Sequence, residues 1–425
     1  MTVRSLSLLH ATPMLGIAVL AVCVRPTPGA GDTLTVEAAV RLALERNPEV
    51  ASARQEWQAA RARAVQARAL PDPEAEIEWE GLPEVGRFGD FEDRFAGVRQ
   101  SLGWPLEWWH RRAAADRAAE AVRLAALAMT ELEVTARVKV AFASVLSSRQ
   151  VLQYEEENLA LARDFAERSR QRFGAGDVPE LEVLRAEVEA GRAAVRLAAA
   201  QNELAAARAA LNALMALDTG APLEATGELG YAARAFDLED LQHLAAERRP
   251  DLLGAQRQVA GQQALRSAAR AAVVPDLNLG LFRQTARQPD GDEAAWRVSV
   301  GLAVPLWAGF RQRGELAEAS AEVGRAQAQA DAVRRQVRLE VETALLDLST
   351  AEQQVRLFQE GIRHEAEEAH QAARRRYAGG KATYLELLEA QRTLAETRAE
   401  YARALLAYSV ALTTLERAAG GPLPQ

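Results

Sequence analysis

The chain has 425 residues, enough for two or three ordinary globular domains, but its composition is wrong for them. Aromatic residues make up only 5%, while Ala, Leu, Arg, Glu and Gln crowd the sequence, which favours long helices over compact mixed domains. The net charge is −8 with 51 basic and 59 acidic residues interspersed, so no basic stripe offers itself to nucleic acid, and a single cysteine, Cys23, excludes a disulfide framework or a thiolate zinc site.

At the N-terminus come Arg4, an apolar run from Met14 to Val24 and a small-residue segment from Pro26 to Ala30. That order is the order of an export signal, and residues 1–30 are read as a signal peptide. The run is shorter than the roughly 20 residues a spanning helix needs. Leu20-Ala21-Val22-Cys23 approaches a lipobox, which would make Cys23 a site of lipidation, although Val22 is bulkier than the small residue such boxes carry there. No later segment holds 18 consecutive apolar residues, so any entry into a membrane must be by strands.

Beyond the signal the chain is one unit written twice. Arg46-Asn47-Pro48-Glu49-Val50 returns as Arg248-Arg249-Pro250-Asp251-Leu252, Leu70-Pro71-Asp72 as Val274-Pro275-Asp276, and Trp104-Pro105-Leu106 as Val304-Pro305-Leu306. Arg172-Phe173-Gly174-Ala175-Gly176 returns as Arg376-Tyr377-Ala378-Gly379-Gly380, and behind it Leu181-Glu182-Val183-Leu184 returns as Leu385-Glu386-Leu387-Leu388. Residues 31–216 are the first repeat and 238–417 the second, with a mid-height linker at 217–237 and a tail at 418–425.

Each repeat opens with an Ala-rich helix, 35–69 or 238–272, and continues into a strand pair, 72–106 or 275–306. In the first strand Ala75, Ile77 and Trp79 alternate with Glu74, Glu76, Glu78 and Glu80. The second sets Ala96, Val98, Leu102 and Trp104 against Arg99, Ser101 and Gly103, and the third sets Leu277, Leu279 and Leu281 against Asn278 and Gly280. The fourth, from Trp296 to Leu306, puts Trp296, Val298, Val300, Leu302, Val304 and Leu306 on one side. Polar loops at 83–93 and 283–293 join the strands of each pair. In a soluble domain such a sheet needs a helical cover, and these helices are occupied with one another. Trp104, Trp108, Trp109 and Trp307 cluster where strand gives way to helix, as at a membrane interface. The reading is a lipid-facing barrel with Glu74, Glu76, Glu78 and Glu80 lining its lumen. Four strands cannot close a barrel and open edges are not tolerated in lipid, so closure demands a symmetric oligomer.

A very long helix follows in each repeat, 108–173 or 308–377, then a Gly-containing turn and a return helix, 181–216 or 384–417. Apolar residues recur every seven positions at Val138, Val145, Leu152, Leu159, Ala166 and Phe173, and again at Val341, Leu348, Val355, Ile362 and Ala369, which marks a coiled-coil seam. The long helix reaches about 100 Å and its return helix about 54 Å. The return path is therefore expected to be two stacked helices, 181–216 on 238–272, with 384–417 stacked likewise on 35–69.

Over nearly all of its mature length the sequence resembles the TolC-type outer-membrane efflux channels, most specifically in the repeated Arg-aromatic-x-x-Gly turn followed by Leu-Glu-x-Leu. The resemblance implies a mainly α fold with a transmembrane β-barrel. Four strands per chain would close as a trimeric, twelve-stranded barrel that continues into an α-helical periplasmic tunnel. It also implies an outer-membrane homotrimer set in lipid, served by a periplasmic adaptor and an inner-membrane RND-type pump, with no enzymatic activity and no cofactor. Glu78-Trp79-Glu80-Gly81-Leu82-Pro83 and His110-Arg111-Arg112 look like the heavy-metal branch of that family. That branch usually carries Gly-Gly-Lys-Arg where Trp108-Trp109-His110-Arg111 stands here. Heavy-metal cations are the expected cargo, and drugs or other organic molecules the alternative.

No catalytic constellation is visible. His364 and His370 are six apart, not the four that would set two zinc ligands on one helical face. Gly174, Gly176, Gly379 and Gly380 read as turn glycines, and no metal site is expected. Glu386 and Glu389, three apart, share a face at the start of the return helix and align with the acids that the family uses at its periplasmic aperture. Glu182 matches Glu386 in the first repeat. The preference of acids for helix N-termini accounts for the same residues. The rival class is a periplasmic adaptor or structural coiled coil, but an adaptor has one hairpin, where this chain has two hairpins and two strand pairs.

Overall fold

In the computed structural model, which describes residues 34–288, 290–304 and 308–424, ten α-helical and four β-strand elements follow one another. The expected signal peptide, Cys23, Leu306 and Trp307 lie outside the described residues. The first repeat contains α1 (Val36–Arg46), α2 (Pro48–Gln66), β1 (Glu74–Glu80), β2 (Asp93–Leu102), α3 (Pro105–Val122), α4 (Met129–Gly174) and α5 (Glu180–Leu214). The second contains α6 (Leu238–Arg248), α7 (Pro250–Ala271), β3 (Asp276–Gln288), β4 (Gly291–Ala303), α8 (Ala308–Leu357), α9 (Arg363–Ala378) and α10 (Tyr384–Ala418).

The helices expected as single pieces over 35–69 and 238–272 are each two. A residue before proline is pushed out of the helical region. Asn47 (ψ 128) and Arg249 (ψ 115) are accordingly extended, and Pro48 and Pro250 start new helices. The very long helices are continuous rods, each containing one π-helical turn, Arg123–Ala128 between α3 and α4 and Phe358–Ile362 between α8 and α9. The extra residue of the second turn rotates the seam. Val341, Leu348 and Val355 are buried as the seven-residue period requires, but Ile362 is 42% exposed and Ala366 takes the inner position instead. In the first rod Val138, Val145, Leu159 and Ala166 are buried and only Phe173, at the tip, leaves the seam.

The stacking partners also differ from expectation. The side-chain amide of Asn47 donates to the carbonyl of Leu214 at 2.9 Å, so α5 ends on the α1–α2 joint. Arg249 donates to the carbonyls of Arg417 and Ala418 at 3.5 and 3.4 Å, so α10 ends on the α6–α7 joint. Each return helix therefore stacks on a helix of its own repeat. The lengths fit either pairing, and the capping side chains decide it. Arg249 is 2% exposed, and its guanidinium is shared with Asp251 and with Glu340 of α8, each at 2.8 Å. The linker 217–237 crosses between the halves at mid-height. Arg149 of α4 holds the carbonyls of Ala225 and Gly227, while Tyr231 donates to Glu352 of α8 and Tyr408 of α10 donates to Ala232.

The four strands form one antiparallel sheet in the order β1-β2-β3-β4. The loop expected over 283–293 is mostly strand, because pairing from Arg283↔Trp296 continues to Gln288↔Gly291. The register places Ile77 opposite Ala96, Val98 opposite Leu281 and Leu281 opposite Val298, so one face is apolar across the whole sheet. That face is bare: Ile77, Val98, Leu281, Val298, Val300 and Leu302 are all exposed, and no described helix covers them. The other face holds two buried rings, Phe95 and Phe282. The Phe282 ring lies over Gly97, its partner on β2, and over Gly280, two residues back on its own strand; a methyl added at Gly97 would come within 2.6 Å of it, and one at Gly280 within 2.5 Å. Trp104 and Trp109 are exposed at the strand-to-helix junction, with Trp108 edge-on to Trp109. No described helix is long and apolar enough to cross a membrane.

Candidate functional site

The two hairpin tips are built by the same turn, as the repeated motif requires. After α4 the amide of Gly176 (φ +83) bonds Phe173 and that of Asp177 bonds Arg172. After α9 the amide of Gly380 (φ +68) bonds Tyr377 and that of Lys381 bonds Arg376. This is the six-to-one closure in which a left-handed glycine ends a helix. Of the four turn glycines, Gly176 and Gly380 need their glycine conformation, and Gly174 and Gly379 do not.

Past the turn, Thr383 caps α10 by accepting the amide of Glu386 at 3.4 Å, while its hydroxyl donates back to the Glu386 carboxylate. That reciprocal cap is the local reason for an acid at 386. Glu386 and Glu389 lie exposed on one face of α10, and neither has an ion pair among the described residues. Glu182 is placed differently. It accepts the Tyr377 hydroxyl at 2.6 Å, and Arg172 donates to the same hydroxyl at 2.8 Å. One tyrosine of the second hairpin is thus held by an acid and a base of the first. Burial, and then the bond to Glu182, pushes the Tyr377 phenol up to about 12. Phe165 stacks on Tyr384 at 4.5 Å and tilts against Tyr377 at 5.6 Å, giving the contact an aromatic core. No described hydrogen bond joins Glu182 to Glu386 or Glu389.

Farther along α5, away from the tip, stands a link that sequence reasoning missed. Glu189 of α5 is 5% exposed and accepts from Arg196 at 3.0 Å and from Arg392 of α10. Burial pushes its carboxyl up, but Arg392 and Arg196 together outweigh that and hold it below the usual carboxylate range. The signal was present: Val183, Ala186 and Ala193 mark the buried face of α5, and Glu189 is the acid on that face.

Glu74, Glu76, Glu78 and Glu80 alternate with the apolar residues of β1, on the same side of the sheet as Phe95 and Phe282. Glu76 pairs with Arg99 of β2 at 2.8 Å. No group of three or more His, Cys, Asp or Glu side chains able to hold a metal occurs among the described residues.

Two helical hairpins hung from a sheet with a bare apolar face define an outer-membrane channel subunit. Residues 39–217 and 241–421 match the family described as outer membrane efflux protein, and the chain belongs to that family. It is similar to the cobalt-zinc-cadmium resistance protein CzcC of Cupriavidus metallidurans, with 28% identity over 93% of this chain and 92% of that one. Protein CyaE of Bordetella pertussis is 31% identical over 75% of this chain and 70% of its own length. Among solved structures, CusC superposes with a TM-score of 0.74 over 91% of this chain and 92% of that one, a likeness of fold at 20% identity. The protein is a channel component of the outer membrane with a long periplasmic helical extension, and it is not an enzyme.

Proposed function

We propose that three copies of this chain close a twelve-stranded barrel and a helical tunnel. Together they would pass heavy-metal cations to the exterior from a periplasmic adaptor and an RND-type inner-membrane pump. The observation that carries the reading is the sheet: its apolar face is uncovered and β1 and β4 are left as edges. Such edges are tolerated in lipid only when paired with another strand, so β4 of one copy meets β1 of the next. The other face then lines the lumen, with Glu74, Glu76, Glu78 and Glu80 on it. At the far end Glu386 and Glu389 from three chains form acidic rings around the periplasmic aperture, and the Tyr377–Glu182 contact fastens the second hairpin to the first. A ring of exposed carboxylates concentrates cations. The metal cargo is supported by the likeness to CzcC along nearly the full chain.

The test is a deletion strain with plasmid complementation. The protein should fractionate with the outer membrane and run as a trimer in mild detergent. Loss of the gene should sensitise cells to cobalt, zinc and cadmium and leave tolerance of organic toxicants unchanged. Sensitivity to organic compounds alone would assign the channel to organic cargo, and a monomer in detergent would refute the closure.

A further inference from the structure

Between the hairpins, beside the Tyr377 contact, lies a cavity of about 490 Å³ bounded by α4, α9 and α10. That is the size of a small-molecule site. Its walls are of two kinds. Leu161, Phe165 and Leu387 supply apolar surface, while Arg168, Arg172 and Arg374 bring three guanidiniums. The lining has one acid, Asp164, and Arg168 already pairs with it at 2.9 Å. Arg172 is bonded to the Tyr377 hydroxyl, a neutral partner, and no described carboxylate pairs with Arg374. The cavity therefore carries excess positive charge facing apolar walls.

A second observation points independently to a ligand. Ser169 lines the cavity and is 1% exposed, yet its hydroxyl has no hydrogen-bond partner among the described residues. Serines inside helices usually donate to the carbonyl four residues back, as Ser144, Ser267, Ser320 and Ser409 do here. Ser169 does not, and a buried hydroxyl left without a partner costs free energy. His370, also in the lining, is half-buried; burial, then Arg374 and Arg398, hold its imidazole below the usual value, so near neutral pH the positive charge of the cavity comes from its arginines alone.

We propose that this cavity binds a small amphipathic anion, an aromatic carboxylate whose ring lies against Phe165, Leu161 and Leu387. Its carboxylate is held by Arg374 and Arg168 and accepts the Ser169 hydroxyl. Guanidinium–carboxylate hydrogen bonds are the strong, geometrically selective kind. Because Arg168 belongs to α4 and Arg374 to α9, the ligand bridges the two hairpins.

The test is isothermal titration calorimetry on the detergent-solubilised full chain with 2-naphthoate, against 2-naphthalenemethanol as a neutral analogue of the same shape. Naphthoate should bind once per chain, and the alcohol at least about tenfold more weakly. Arg374→Gln should weaken naphthoate about tenfold and Ser169→Ala severalfold. Arg335→Gln, an exposed charge on α8, should leave it unchanged. Each variant's helical circular dichroism should match the parent. Equal binding of acid and alcohol would mean apolar partition and overturn the proposal. So would equal losses in Arg374→Gln and Arg335→Gln, which would mean bulk charge.

Discussion

Replacing Glu189 by Gln keeps the side chain's shape and removes the charge that holds α10 to α5 beyond the tip contact. Hydrogen bonds to charged groups are worth about 1.5–3 kcal/mol when removed. Here the side chains of Arg392 and Arg196 are 40% and 39% exposed, so solvent screening lowers the figure. Only the Arg392 arm joins the two hairpins, since Arg196 lies on α5 with Glu189. About 1 kcal/mol per chain for that arm is a shift of roughly fivefold toward hairpins apart. Single-channel recording in planar bilayers should show the open fraction of Glu189→Gln rising by at least that factor at neutral pH, since every chain of the channel loses the arm. Arg392→Gln should do the same, and the double variant should be no more open than either single one, because both remove one interaction. The pH dependence has a definite sign. The carboxyl is held below its ordinary value, so the link is complete above the ordinary glutamate range of about 4.3 and is lost as pH falls through the lowered one. Wild type and variant should converge only in that acidic range. An unchanged open fraction in Glu189→Gln, or additive effects in the double variant, would refute the reasoning.

Glu386→Gln with Glu389→Gln should reduce cation selectivity and abolish block by added divalent or trivalent cations in bilayers, while Glu365→Gln with Glu368→Gln, farther from the tip on α9, should do neither. Arg at Ile77 or Val300, on the bare face of the sheet, should cost about 2–4 kcal/mol at a bilayer midplane and impair assembly into the outer membrane. Arg at Asn278, on the opposite face, should assemble normally by heat-modifiable gel mobility. Arg249→Ala strands Asp251, Glu340 and two helix-end carbonyls in a buried joint, and thermal melting should show a loss of about 3–5 kcal/mol.

The duplication was legible because it is written in residues with local jobs. Arg-aromatic-x-x-Gly encodes a helix ending with its left-handed glycine, and both copies fold to the same turn. Strand faces were equally legible, since a period of two leaves no ambiguity about which residues point together. Asn47-Pro48 and Arg249-Pro250 were visible as repeated motifs, but their meaning as joints was not. The proline shows only that a helix starts, whereas the partner carbonyls of Leu214 and Ala418 lie 167 and 169 residues away. The seven-residue seam failed at Ile362 because a single π-turn changes the phase of everything after it, and within Phe358–Ile362 only Gly361 hints at one, a residue that an ordinary helix also tolerates. At the tip, Glu182 was singled out for its position, yet its bond to Tyr377 depends on how two hairpins lie side by side, which no period within either reveals. Glu189 could have been noticed as an acid on an apolar face; its two arginines could not.

The joints at Asn47 and Arg249 give the molecule unlike mechanical members. The rods α3–α4 and α8–α9 are single backbones and carry torque along their whole length. The columns beside them, α5 on α2 and α10 on α7, are drums set end to end, joined across the break by one side chain gripping the carbonyls below. Such a joint resists compression but passes little twist. The lower drum can turn about its own axis while the upper drum, anchored beside the sheet, stays where it is. A rotation begun at the hairpin tips would then be absorbed at mid-height, and the strands above would not feel it.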